Sequence, residues 1–259
     1  MIETNRDAPK GRVIALDPQA AGETDWRDVI PESEHVLNAS SSAGYLFAEH
    51  MIDAISQVKQ YDLEGNLIRD IELPDVGSAS GFGGKKEQEN VFFTFTNYRI
   101  APAIFSLDPE SGDVSLYRAS KSPFDGNEYQ TEQVFYTSKD GTRVPMIITY
   151  AKGIVLDGST PTILYGYGGF DISIRPRFSS TVAAWLEMGG IYAVPNIRGG
   201  GEYGKAWHIA GTKNQKQNVF DDFIAAAEYL IAKGYTSKEK LAVSGRSNGG
   251  LLVGAVTTQ

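Results

Sequence analysis

Ser247 stands in "KLAVSGRSNGGLLVGAV", residues 240–256. Glycines lie two positions before it and two after it, at Gly245 and Gly249. Gly-x-Ser-x-Gly between a short apolar run and a helical start is the pattern of a nucleophile elbow. The turn from strand to helix is so tight there that only glycine avoids a clash two residues either side of the serine. The hydroxyl then stands at a helix N-terminus, where the dipole favours developing negative charge. The chemistry this arrangement suits is acyl transfer through a serine nucleophile.

Acyl transfer needs hydrogen-bond donors for the oxyanion. The backbone N–H of Asn248, next after the serine, is one expected donor. A second must come from the loop after an earlier strand, and "YGYGGF", residues 165–170, follows the apolar run "TPTIL". Its glycines would let a substrate approach the backbone, and a tyrosine hydroxyl could donate. The same loop reads equally well as a structural glycine turn with buried tyrosines. It lacks the G-x-G-x-x-G spacing of a phosphate cradle.

A serine also needs a base and a group to orient that base. The histidines are His35, His50 and His208, and nothing after Ser247 is acidic or basic. In hydrolases built on this elbow the order is serine, then acid, then histidine. The base and acid are therefore expected beyond Gln259, and the polypeptide alone is expected to hydrolyse nothing.

The elements that must carry the site fall into two halves. Up to about residue 120 the chain reads as short strands and turns. "VIALDP", "VKQYDL" and "IFSLDP" repeat at spacings of 45 and 46 residues, placing Asp17, Asp62 and Asp108 in register. That period suits four-stranded propeller blades. Two to three blades cannot close a ring, so further blades are expected outside these residues. After residue 120, strand-like and helical runs alternate. A hairpin turns at Asp140-Gly141. "FSSTVAAWLEMGG" reads as a helix, "GIYAVPNI" as a buried strand, and "NVFDDFIAAAEYLIAKGYTS" as a helix. In that last helix Phe220, Phe223, Ile224, Ala227, Leu230 and Ile231 recur at helical spacing. Asn218 is its expected cap, Asp221 and Asp222 suit its positive end, and Gly234 its exit. The alternation predicts a mostly parallel sheet with helices on both faces.

Composition narrows the partners. The 259 residues are 41% hydrophobic and 22% charged, with a formal net charge of −8 and no cysteine. The acidic balance and the lack of a Lys/Arg run argue against nucleic acid and anionic membrane as partners. Without thiols there are no disulfides and no thiolate metal sites. No apolar stretch reaches membrane-spanning length, and the first residues carry no signal-like apolar core.

"YGYGGF", "NIRGGGEYGKAWH", "QNVFDDFIAAAEYLIAKGYTS" and "GRSNGGLLVGA", in that order, resemble successive signature segments of the prolyl oligopeptidase family of serine peptidases. The resemblance is strongest over about residues 125–259, and the β-rich half resembles the last blades of that family's propeller. It implies a partial β-propeller over 1–120 followed over 121–259 by the front part of an α/β-hydrolase. Ser247 would be the nucleophile, with Tyr167 lending its hydroxyl to the oxyanion hole beside the Asn248 N–H. Phe170 would line an apolar pocket for a proline ring. His208 matches a family position outside the triad, which implies a loop-ordering role. The implied substrates are short proline-containing peptides, with no metal or organic cofactor. A cytoplasmic location is expected, with the periplasm as the alternative. The rival readings are cleavage after Arg or Lys in the manner of oligopeptidase B, a general esterase or lipase, and a non-catalytic propeller-based binding module. The sheet edges such a piece leaves open predict self-association.

Overall fold

The computed structural model describes residues 1–17, 19 and 26–259; Pro18 of the first repeat lies outside them. The chain divides into two compact units, 1–95 with 102–120, and 96–101 with 121–259. A single boundary at residue 120 therefore misses the short segment 96–101, which belongs to the second unit. There Phe178 N donates to Thr96 Oγ1 at 3.1 Å. The Tyr98 ring meets Tyr192 edge to face at 5.3 Å.

The first unit is built of consecutive meanders. The first sheet runs β1 (Ile2–Thr4), β2 (Arg12–Ala15), β3 (Arg27–Ile30). The second runs β4 (Val36–Ser42), β5 (Tyr45–Ile52), β6 (Ile55–Tyr61), β7 (Leu67–Ile71). The third runs β8 (Ser78–Ser80), β9 (Val91–Thr96), β10 (Ala103–Leu107), β11 (Val114–Arg118). Two complete four-stranded sheets and a three-stranded one thus follow the repeat.

The repeated aspartates do the same job each time, just after the penultimate strand of their sheet. Asp17 Oδ1 accepts from Gln19 N at 2.9 Å, and Asp62 Oδ1 from Glu64 N at 3.0 Å and Asn66 N at 2.8 Å. Asp108 Oδ1 accepts from Glu110 N at 2.8 Å and Ser111 N at 3.1 Å. At Asp62 and Asp108 the carboxylate folds the chain over into the outer strand. The Asn66 side-chain amide, which donates to Asp62 Oδ2 at 2.7 Å, and then the Asn66 N–H hold the Asp62 carboxyl below the usual range, and the Ser111 and Glu110 N–H groups do the same at Asp108. Between sheets the filling is apolar. Phe47, Phe82, Phe93 and Phe105 stack in series with centroids 5.8, 4.6 and 5.6 Å apart.

The second unit contains β12 (Tyr129–Thr137), β13 (Arg143–Ala151), β14 (Thr162–Tyr165), α1 (Ser180–Glu187) and β15 (Ile191–Pro195). After them come α2 (Lys205–Ile209), α3 (Gln217–Ala232), β16 (Leu241–Ser244) and α4 (Asn248–Val256). The sheet order is β12-β13-β15-β14-β16. β12, β13 and β15 pair antiparallel, whereas β15, β14 and β16 pair parallel. The sheet is thus mixed rather than mostly parallel, because the hairpin at Asp140-Gly141 supplies two strands without a helical crossover.

The chain leaves β14 toward β15 on one side and returns to β16 on the other. With right-handed crossovers this is a topological switch point, and the crevice it opens lies at the C-terminal ends of β14 and β16. The loops that follow those strands are 166–170 and 245–247.

α3 differs from expectation at its start. Its N-cap is Lys216, with no side-chain cap, and Asn218 Nδ2 donates instead to Ala210 O at 2.9 Å. The buried stripe is Val219, Asp222, Phe223, Ala226 and Leu230. Asp222, placed by the sequence near the helix dipole, lies in that stripe. The exit follows expectation: Gly234 is left-handed at φ +78°, and Tyr235 N bonds Leu230 O at 3.0 Å. Gly234 N bonds Ile231 O at 3.1 Å, completing a Schellman closure.

Candidate active site

Ser247 sits between β16 and α4 with φ 56° and ψ −117°. For a residue with a Cβ this backbone is strained, at a cost of about 1–3 kcal/mol, and it persists only where the surroundings impose it. They do so through the flanking glycines. A Cβ on Gly245 would lie 2.2 Å from Gly249 O, and one on Gly249 would lie 2.4 Å from Gly166 O. Ser247 is exposed, and no side chain among the described residues hydrogen-bonds its hydroxyl.

The Tyr165–Phe170 loop lies directly against this elbow. Asn248 Nδ2 donates to Tyr167 O at 2.5 Å, joining the residue after the serine to the tyrosine proposed for the oxyanion. A Cβ on Gly169 would strike the Asn248 side chain at 2.5 Å. Lys216 Nζ donates to the next carbonyl, Gly168 O, at 2.7 Å. The structure therefore brings Ser247, Asn248 and Tyr167 together. Phe170 is 72% exposed, a free apolar face, and its φ of 58° continues a left-handed turn into Asp171 at φ 61°.

His208 is remote from the elbow in bonding. Its Nδ1 lies 3.0 Å from Asp171 N and 2.8 Å from Gly199 O. Asp171 N also reaches Gly199 O at 3.2 Å. The histidine thus ties the loop after Phe170 to the 198–204 segment. His50 is buried in the first unit, where burial lowers its pKa, and Ser33 Oγ lies 3.4 Å from its Nδ1.

Next to Gly199 in the chain, Arg198 centres a charged cluster that the sequence expectations do not include. Arg198, 4% exposed, directs Nη2 to Asp222 Oδ1 at 2.6 Å and Nη1 to Asp140 Oδ2 at 2.5 Å. Its own N–H donates to Asp222 Oδ2 at 3.0 Å, and Ser138 Oγ donates to Asp222 Oδ1 at 2.5 Å. Tyr136 OH donates to the Asp222 carbonyl at 2.9 Å. The guanidinium holds the Asp140 carboxyl far below the usual range, while the two carboxylates hold Arg198 charged. The signal available in the sequence was positional: Asp222 falls at i+3 from Val219 and i−1 from Phe223, within the apolar stripe.

A second buried acid borders the same segment. Glu202, 2% exposed, accepts at Oε1 from Ile174 N at 2.8 Å and Asn196 Nδ2 at 3.2 Å. Its Oε2 has no hydrogen-bond partner and faces Gly200. Burial raises its pKa to about 7. Between the ordinary glutamate value and that point, the folded chain keeps a proton that the unfolded chain has released. Stability due to this group therefore falls as pH rises through that window. Glu202→Gln, which mimics the neutral acid, is expected to be more stable than the parent at pH 8 and no more stable at pH 5. Urea midpoints at the two pH values check this; equal midpoints for the two proteins at pH 8 would remove the argument.

Among the described residues there is no group of three or more His, Cys, Asp or Glu arranged to hold a metal, and no helix is long and apolar enough to cross a membrane.

Residues 1–120 match the N-terminal β-propeller domain of prolyl oligopeptidase, and residues 176–259 match the prolyl oligopeptidase family. The chain belongs to the prolyl oligopeptidase family. It is 56% identical over 255 residues to a prolyl endopeptidase of Elizabethkingia meningoseptica, matching 98% of this chain and 36% of that protein. A prolyl endopeptidase of Dictyostelium discoideum is 40% identical over 272 residues, with 99% and 35% covered. Among solved structures, a chain from a study of two prolyl endopeptidases superposes with a TM-score of 0.90 at 44% identity. It covers 99% of this chain and 38% of its own length. Prolyl oligopeptidase B of Galerina marginata, bound to a 35-residue hydrolysis and macrocyclization substrate, gives 0.88 at 36% identity, with 98% and 36% covered. The chain thus spans about a third of the length of the relatives it matches. Its first unit is part of a β-propeller, and its second is the front part of an α/β-hydrolase.

Proposed function

We propose that this chain carries the nucleophile and the oxyanion donors of a serine endopeptidase that cuts short peptides after proline. Ser247 Oγ attacks the scissile carbonyl carbon, and its proton passes to a histidine base. The oxyanion accepts from Asn248 N–H and Tyr167 OH, the proline ring rests on Phe170, and the histidine returns its proton to the departing amine. Water then hydrolyses the ester at Ser247 by the reverse sequence of proton transfers. The observation that carries this reading is the strained Ser247 backbone bonded, through Asn248, to the tyrosine loop.

The base and its orienting acid are assigned to segments outside these 259 residues, since none of the three histidines is bonded to Ser247. Substrate-bound Galerina marginata structures carry alanine in place of a serine, an aspartate or a histidine, in that chain order. The same order is the one the elbow demands.

The test uses two proteins. One is the 259-residue chain itself. The other is a chimera in which it replaces the matched segment of the Elizabethkingia meningoseptica prolyl endopeptidase. The chain alone is expected to leave a proline-containing fluorogenic peptide intact. The chimera is expected to cleave it, and to prefer it over an arginine counterpart by at least about a hundredfold in kcat/KM. Preference for arginine would replace proline with a basic side chain in this reading, and turnover surviving Ser247→Ala would refute it.

A further inference from the structure

We propose that Lys216 is a positioning residue for the acyl-transfer site: it grips the Gly168 carbonyl and so holds Tyr167 where the oxyanion forms. The inference rests on the roles given above to Ser247 and Tyr167.

Lys216 occupies a place that costs the fold something. It is the N-cap of the 16-residue α3, so its cation stands at the positive end of a helix, where an anion or a capping hydroxyl is preferred. It is half-buried, and burial pulls its pKa down. No carboxylate among the described residues pairs with it, and its nearest aromatic ring, Phe220, is 6.0 Å from Nζ. What Nζ does have is Gly168 O, 48 residues upstream, at 2.7 Å. A charge-assisted bond of that length offsets both costs.

From the loop's side the bond is equally needed. Gly168 is buried and left-handed at φ +62°, packed so closely that a Cβ would meet Val219 at 2.4 Å and Ile197 at 2.8 Å. Its carbonyl lies against Gly199, and among the described residues Lys216 is its hydrogen-bond donor. Without Lys216 a buried carbonyl would lose its partner.

The consequence for Tyr167 is geometric. Gly166 N is fixed to Ser244 O at 3.0 Å, the Tyr167 carbonyl to Asn248 Nδ2 at 2.5 Å, and the Gly168 carbonyl to Lys216. Three of the four peptide planes between residues 165 and 169 are thus pinned, two of them by the strand and elbow that carry Ser247 and one by α3. The turn beyond runs left-handed through Phe170 and Asp171 and would relax if released. An oxyanion donor works only if it is already in place when charge develops.

In the chimera, Lys216→Met is expected to lower kcat about tenfold to a hundredfold, less than the roughly 10²–10³ lost with an oxyanion donor itself, with KM changing less than about twofold. Lys216→Arg, which keeps the donor, is expected to recover most of the rate. In a Tyr167→Phe background the Lys216→Met effect should shrink to about threefold or less, because both changes disable one device. An unchanged kcat in Lys216→Met, or the same loss with and without the tyrosine hydroxyl, would overturn the proposal. A second readout needs no catalysis. In the 259-residue chain, Lys216→Met should speed amide exchange over 167–171 while α3 stays protected, and unchanged exchange there would also overturn it. Failure of the hydrolase reading looks different, because it would show as turnover indifferent to Ser247.

Discussion

Glycine in place of Ser247 is expected to stop turnover and stabilise the second unit at the same time. The serine backbone at φ 56° and ψ −117° is costly for any residue with a Cβ and ordinary for glycine. Relief of about 1–3 kcal/mol, less glycine's added entropy loss of about 0.5–1 kcal/mol, leaves a net gain of about 1 kcal/mol. For a domain of this size that raises the melting midpoint by about 2–4 °C. Ser247→Ala keeps the strain and should gain nothing, which makes it the control. In the chimera both variants should lose about 10⁵–10⁶ of kcat, the scale seen when a serine nucleophile is removed. Thermal melts of the chain and rates of the chimera check the two halves separately. A glycine variant that melts lower than the parent would mean that the elbow stores no strain.

Asp222→Ala is expected to be the most damaging single change to stability. It would strand the Arg198 guanidinium, 4% exposed, and remove the acceptor for Ser138 Oγ and for the Arg198 N–H. Breaking a buried pair from one side costs about 3–5 kcal/mol, because a charge is left uncompensated. The midpoint of the second unit should fall by roughly 10 °C. Asp140, partly exposed, would remain as a partial partner, so Asp140→Ala should cost far less. Replacing Arg198 and Asp222 together by apolar residues should recover much of the loss. If Asp222→Ala melted within about 2 °C of the parent, the pair would not be the clamp its geometry describes. Damage should also spread to the site, since Gly199, next to Arg198, bonds Asp171 beyond Phe170.

Local rules made much of this fold legible from the sequence. The Asp140-Gly141 hairpin, the Gly234 exit of α3 and the elbow at Ser247 depend on residues within a few positions of each other. Their geometry follows from turn and glycine chemistry alone. The parts that escaped depend on partners far along the chain. Asn218 looked like a cap because nothing local showed that Ala210 O would claim its side chain. Asp222 looked like a dipole partner because Arg198 and Ser138 meet it only after the sheet is assembled. Lys216 carried no signal, since its partner is a carbonyl that every residue possesses. The loop 96–101 was read with the strands around it, although Thr96 and Tyr98 make contacts with Phe178 and Tyr192. The proposed site divides in the same way: pattern points to Ser247 and Asn248, family resemblance to Tyr167 and Phe170, and nothing in the sequence to the bonds that hold them.

The aspartate-closed turns of the first unit bear on how the chain reaches this state. Asp62 and Asp108 each close a turn within four residues, and their sheets join strands in chain order, so pairing needs only short loops. Such contacts form early and cheaply. In the second unit β14 must wait for β15 and then for β16, and Arg198 must find Asp140 58 positions back. The first unit is accordingly expected to zip up locally and early. The strained serine, resting on long-range closure, is expected to be among the last features to acquire its shape.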